Sequence, residues 1–370
     1  MSILNVCKRI TNSNILNTFT RCYAKKPKHI PLKVTVCGAR GKIGQPLCLM
    51  LKQSPLIDEL GLYDTNPVCG FGIELGHIDT RCKVIAYSGV DHIREAMEGA
   101  SVVVIVAGAP KTSHLAYSAM FEANANIIQE IAQGVGLHAP NAMIAIATNP
   151  VNSMVPIASE TLRRTGTYNP KRVFGITALD VVRTNTFVAD VQGLEPENVM
   201  VPVIGGNADK TIIPVLSQAR PCADFTVKEL ECITHKVQNA HHDVIKAKTK
   251  RSATLSAAFA IAKFVISIIK GLKGTNNVIE CAYVRSKAHP HCKYLATPLL
   301  LGKSGIEKNL GVPKLSDYEN CQLESAVPMI MDAVKKGESF VGVEDPPPCD
   351  PCDPSPTAPI CPPNYCQREK

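Results

Sequence analysis

The chain has 370 residues, 45% of them apolar and 19% charged, with a formal net charge of +8. That length accommodates two domains with cores of their own, and the composition excludes a disordered or fibrous chain. No run approaches the ~20 apolar residues that cross a bilayer; the longest, Ala257 to Ile269, is broken by Lys263 and predicts a buried helix, so no membrane partner is expected.

Basic residues Lys8, Arg9, Arg21, Lys25, Lys26 and Lys28 all precede the first acidic residue, Asp58. Ile3, Val6, Ile10 and Phe19 fall at roughly helical spacing among Ser, Thr and Asn. A basic, acid-free amphipathic start predicts a mitochondrial transit peptide over residues 1–23, cut before Ala24 in Arg21-Cys-Tyr-Ala24, and places the protein in the mitochondrial matrix. The alternative is a disordered basic tail. No long apolar segment follows the charges, as a secretory signal requires. The remaining charge is spread out, apart from a cluster at Lys246 to Arg251. It reads as a solvated face or an attraction for anionic metabolites, and no nucleic-acid partner is expected.

In chain order, Lys33 to Gly38 is a β-rich run ending in glycine, and Gln45 to Gln53 has a helical apolar pattern. Glu59 to Asp64 predicts the second strand. Ser101 to Gly108 and Met143 to Asn149 are near-continuous apolar runs of strand length, as strands covered on both faces require. Strand, glycine turn, helix and strand in repetition predict an α/β fold: a Rossmann-type doubly wound parallel sheet over residues 32–175. Beyond Asn149-Pro150, strands at Arg172 to Thr177, Val201 to Ile204 and Asn277 to Arg285 alternate with longer helices. These helices are predicted over Asp180 to Gln192, Val227 to Lys248, Thr254 to Lys270 and Asp317 to Lys336, giving a mixed α+β domain over 176–340.

The glycine turn has the context of a dinucleotide site: it follows a strand, opens a helix, and Asp64 ends the next strand twenty residues after Gly44. Gly38 permits a tight turn, Gly41 lets the backbone approach a pyrophosphate, and Gly44 allows close helix–strand packing, while the helix N-terminus adds positive charge. Lys42, Ile43 and Arg40 fill the variable positions. Asp64 can accept from ribose hydroxyls and would repel a 2′-phosphate, which selects NAD over NADP as the cofactor.

Several long motifs occur in order: Gly38-Ala-Arg-Gly-Lys-Ile-Gly-Gln-Pro46, Thr148-Asn-Pro-Val-Asn-Ser153, Phe174 to Arg183, Val201 to Pro214 and Thr297-Pro-Leu-Leu-Leu-Gly302. From about Leu32 to Val341 the chain resembles malate dehydrogenases of the mitochondrial type, in the lactate/malate dehydrogenase family. The resemblance implies a small dicarboxylate or other 2-oxoacid as substrate. It also implies an assembly, either a homodimer or a heterodimer with an active paralogue.

It further implies a proton-transferring His held by an Asp, and three substrate arginines. Asp180 and Arg183 match, at an i, i+3 spacing that puts them on one helical face, and Asn149 matches the residue near nicotinamide and substrate. The His position, after Gly205-Gly206, is Asn207. The first substrate arginine falls on Lys111 and the second on Tyr117; Lys111 keeps a charge without the two-pronged fit, and Tyr117 removes a cation. Asp209 stands where the family has a small residue and is expected to add negative charge near the acid. Thr249-Lys-Arg251 replaces a small-residue turn. An amide cannot take up a proton near neutral pH, so catalysis is expected to be absent or very weak. Rescue would need His114 or Asp180 acting through a water; His77 is expected to pack or cap near the second domain.

Of the fifteen cysteines, eleven are scattered singly, as small buried hydrophobes are. Cys349, Cys352, Cys361 and Cys366 crowd into a Pro-rich segment, 345–370, that extends beyond the resemblance. Proline at this density excludes helix and ladder pairing. Four thiolates for zinc, a crosslinking arm and an inert extension all remain open readings of it.

Overall fold

The computed structural model describes residues 31–109, 117–249 and 252–342. Six parallel strands lie in the order β3-β2-β1-β4-β5-β6. They are β1 (Lys33–Cys37), β2 (Glu59–Asp64), β3 (Lys83–Ser88), β4 (Ala100–Ile105), β5 (Met143–Ile146) and β6 (Val173–Ile176). Helices α1 (Gly44–Lys52), α2 (Cys69–Gly76), α3 (Ile93–Met97), α4 (Tyr117–His138) and α5 (Val151–Arg164) make the crossovers. The order reverses between β1 and β4, which opens a crevice at the carboxyl ends of those strands.

Alternation along the strands feeds two cores. Val102 and Val104 of β4 join Val34 and Val36 of β1 on one face, while Val103 and Ile105 join Cys37 on the other. This is why β4 reads as an unbroken apolar run: both its faces are dry.

The second half comprises α6 (Ala178–Gln192), β7 (Val203–Gly205), β8 (Ile212–Pro214), α7 (Val227–Ala247), α8 (Leu255–Leu272), β9 (Val278–His289), β10 (Cys292–Gly302), β11 (Gly305–Asn309) and α9 (Asp317–Phe340). Its strands do not build a sheet of their own. β6 pairs antiparallel with β9 through Gly175–Tyr283 and Ile176–Ala282, and the sheet runs on through β10, β7 and β8, with β11 on β10. Gly175 makes the junction possible. A Cβ there would stand 2.6 Å from Val151 Cγ1 and 3.1 Å from Tyr283 Cβ.

Helix α8 has the length and apolarity to cross a membrane, but 61% of it is buried inside the fold. Ala258, Ile261, Phe264, Val265 and Ile268 enter the core shared with β1 and β4, and Phe174 meets Phe264 edge-to-face at 5.9 Å. Helix α9 starts at a capping box, Ser316 with Glu319, and the same buried carboxylate accepts from Ser217 N at 2.9 Å and Ser217 Oγ at 2.6 Å. One glutamate thereby satisfies a helix end and ties it to the β8–α7 connection.

Candidate functional site

The nucleotide end is built from backbone. Gly38 leaves β1 at φ +90°, a conformation that disfavours a side chain, and a Cβ there would lie 2.6 Å from the backbone of Ala107. At Gly44 a Cβ would lie 2.1 Å from Gly38 O and 2.7 Å from Ala39 O. The close approach that requires Gly44 is therefore α1 seated on the carbonyls of its own turn. Gly41 is exposed, with Gly38 O at 3.1 Å as its one crowding neighbour, so the outer side of the turn is open. No side chain caps α1 at Ile43, and no acidic residue lies in its first turn, so the helix end keeps its partial positive charge.

Asp64 closes this end. Its Oδ2 accepts from Arg40 N–H and its Oδ1 from Asn66 N–H, both at 3.0 Å, so the carboxylate is locked against the glycine turn. Asn66 Nδ2 also donates to Oδ1 at 3.4 Å, so it is Oδ2 that keeps lone-pair capacity for a ribose hydroxyl. An open glycine turn, an uncapped helix and a fixed carboxylate are the fit that an NAD diphosphate and ribose need. Arg40 and Lys42 are exposed, and Ile43 is half-buried.

The acid end is built from side chains. Asp180, on the first turn of α6, is buried. Asn207 Nδ2 donates to its Oδ2 at 2.9 Å, and Arg183 Nη1 lies 3.7 Å from its Oδ1. Burial pushes the Asp180 carboxyl up to about 6, against the opposing pull of Arg183 and the Asn207 hydrogen bond. Burial also lowers the Arg183 guanidinium, partly countered by Asp180. Arg183 Nη2 is buried with no acceptor among the described residues, an orphan donor of the sort that a carboxylate ligand would satisfy.

Two asparagines that the sequence motifs do not single out hold the site's loops in place. Asn152 Oδ1 accepts from Asn207 N–H at 2.9 Å, while its Nδ2 faces Thr211 Oγ1 at 3.4 Å. Asn124 Oδ1 accepts from Ala109 N–H, and its Nδ2 donates to Asn149 O, both at 2.7 Å, so it ties the loop after β4 to the loop after β5. The signal for both was a buried amide within a helix. Asn149 itself is exposed at a cis bond to Pro150.

Asp209 has φ +44°, is exposed, and sits 2.9 Å from His242 Nε2, so its charge is directed to a surface pair on α7. His77 is exposed and stands as the C-cap residue of α2, in the first half of the chain. Of the described cysteines, Cys37, Cys48, Cys82, Cys281 and Cys292 are buried as expected, but Cys69, Cys222, Cys232 and Cys321 are exposed. Lys111, His114, Lys250, Arg251, the first thirty residues, the side chain of Tyr117 and Cys349, Cys352, Cys361 and Cys366 lie outside the described residues.

Comparison with known proteins fits this geometry. The profile of the lactate/malate dehydrogenase NAD binding domain matches residues 32–175, and that of the family's alpha/beta C-terminal domain matches 177–341. The chain belongs to the lactate/malate dehydrogenase family. Its first half is the family's NAD-binding domain. Mitochondrial malate dehydrogenase of Rattus norvegicus is 47% identical over 310 residues, covering 84% of this chain and 91% of the relative. The Homo sapiens protein of that name is 46% identical over the same length. In fold the chain is similar to a malate dehydrogenase from Cryptosporidium parvum, with a TM-score of 0.71 at 23% identity over 84% of this chain and 99% of that one. It is also similar to a lactate dehydrogenase from Eimeria maxima, solved with NADH and oxamate, with a TM-score of 0.74 at 20% identity over 86% and 97%.

Proposed function

We propose that this protein is a mitochondrial member of the malate dehydrogenase branch that binds NAD and a small dicarboxylate or other 2-oxoacid but transfers hydride very slowly or not at all. Its role is then structural or regulatory. The observation that carries the reading is the amide of Asn207 bonded to the buried Asp180. Dehydrogenation needs a group that takes a proton as hydride leaves, and an amide at that position holds the hydrogen bond without taking the proton. Loss of general acid–base catalysis costs ~10²–10⁴-fold. Loss of a cation at Tyr117, where the resemblance puts an arginine, removes an electrostatic contribution of ~10²–10³-fold.

The roles assigned to Gly38, Gly41, Lys42, Ile43, Gly44 and Asp64 for the nucleotide, and to Lys111, Tyr117, Asn149 and Arg183 for the acid, belong to this reading. So do the transit peptide at 1–23 and the matrix location, which the relatives' mitochondrial names support. A dimer, with itself or with an active paralogue, is supported by exposed Leu49, Val191, Leu255 and Phe259 on α1, α6 and α8, α1 and α6 each packing on α8.

One observation favours a second reading, a slow but working dehydrogenase. Asp180 holds its carboxyl near 6, where it could relay a proton through water. The deciding experiment follows NADH oxidation at high enzyme concentration with oxaloacetate and a panel of 2-oxoacids, on chain purified free of host dehydrogenase. NADH binding without turnover is the expected result. Turnover that disappears in Asp180→Asn would replace the first reading with the second.

A further inference from the structure

Asn207 has two polar ends, and Asp180 uses only one. An ionised carboxylate has no proton to give, so it turns the amide to bring Nδ2 to Oδ2 at 2.9 Å. The carbonyl Oδ1 is then the end left over, and no described group donates to it. The backbone N–H of Asn207 is held by Asn152 Oδ1 at 2.9 Å, which fixes the residue from behind. On the other oxygen of Asp180 lies Arg183, whose Nη2 is buried and without an acceptor among the described residues. The site therefore sets a buried cationic donor without an acceptor and a half-buried amide oxygen that no described group engages on the same carboxylate.

We infer that Asn207 makes this pocket select a 2-hydroxy acid over the corresponding 2-oxo acid. The inference rests on the proposed reading of the site as the acid pocket of an NAD-binding protein. A hydroxy acid brings a carboxylate for Arg183 and an O–H that can donate to Asn207 Oδ1. An oxo acid brings the same carboxylate but sets a carbonyl oxygen against an amide oxygen, two acceptors with no proton between them. A histidinium at position 207 would donate to either oxygen, and an amide tethered through its NH₂ cannot. The chain is on this view a reader of the reduced acid, with the side chain at 207 setting which member of the redox pair is recognised.

The test titrates L-malate and oxaloacetate in turn into the NADH-saturated full chain at pH 7.5, with NADH binding itself measured first by fluorescence. Expected is L-malate binding at least about tenfold tighter, the size of a hydrogen bond gained on one side and an acceptor clash on the other. Asn207→His should narrow the difference, since an imidazolium donates to either oxygen, and Asn207→Leu should erase it. Oxaloacetate binding as tightly as L-malate, or neither acid binding to NADH-loaded protein, overturns the inference and leaves the nucleotide reading standing. Failure of NADH to bind overturns both. The ratio in the unsubstituted chain decides the matter even if a variant does not fold.

Discussion

The nucleotide end and the acid end of this molecule differ in what their atoms do for the fold. At the nucleotide end the two demands coincide. Gly38 and Gly44 are needed for β1, the turn and α1 to pack at all, and the carboxylate of Asp64 locks the same turn. At the acid end they separate. Asp180 needs a donor, which Asn207 supplies as well as an imidazole would, and the fold gains nothing from a proton acceptor there. Chemistry can thus be lost at the acid end without disturbing the structure. At the nucleotide end, an intact turn reports on packing as much as on use.

The largest effect should come from rebuilding the acid end. Restoring Asn207→His together with Tyr117→Arg and Lys111→Arg is expected to raise kcat/KM for oxaloacetate by ~10³-fold or more. Asn207→His alone is expected to give a small part of that, since the groups act as a unit. A single change that recovers a family-like rate would show that the damage is confined to one residue.

Damage at the nucleotide end should instead be structural. Gly38→Val puts a side chain at φ +90° against the backbone of Ala107, and should cost about 3 kcal/mol or more in denaturant unfolding together with NADH binding. Stability unchanged with binding lost would separate the two demands that appear fused here.

The Asp180 carboxyl, raised from 3.8 to about 6, binds its proton more tightly in the folded chain than in the unfolded one. Its contribution to stability therefore falls as pH rises from about 4 to about 6, by about 3 kcal/mol, and is constant above that. The stability gap between the chain and Asp180→Asn, measured by denaturant midpoints, should change across that window and be flat from pH 6.5 to 8. A flat gap throughout would mean that Arg183 and Asn207 fully offset the burial.

The smallest effect is expected at Asp64→Asn, which keeps the shape and removes the charge. NADH affinity should fall about tenfold, the worth of a charged hydrogen bond, and discrimination against NADPH should narrow. An unchanged preference for NADH would remove Asp64 from the selection.

Much of the parallel sheet was legible because β4 and β5 are dry on both faces and leave near-continuous apolar runs in the sequence, while β1 shows as a β-rich run ending in glycine. The long helices of the second half were legible by their apolar patterning, and two of them begin at capping boxes, Thr226 with Glu229 and Ser316 with Glu319. Strand β3 was not, being an edge strand with half-exposed residues. Nor was α5, which is buried along most of its length and carries Pro156 inside it. At the site, residue types could be read from motifs, but pairings could not. Asn152 with Asn207 and Asp209 with His242 span 55 and 33 positions, and no local pattern encodes such distances. The outward turn of Asp209 is of this kind: the sequence gives its charge, and only the backbone at φ +44° gives its direction.

The pairing of β6 with β9 has a mechanical consequence. A hydrogen-bonded ladder crosses from the nucleotide half to the acid half, so a hinge between them would have to break main-chain bonds. Ligands are then felt through side chains and loops, with the two halves moving as one plate. Heat or denaturant should melt them in a single transition, and NADH bound at one end should slow amide exchange in β9 and β10 at the other.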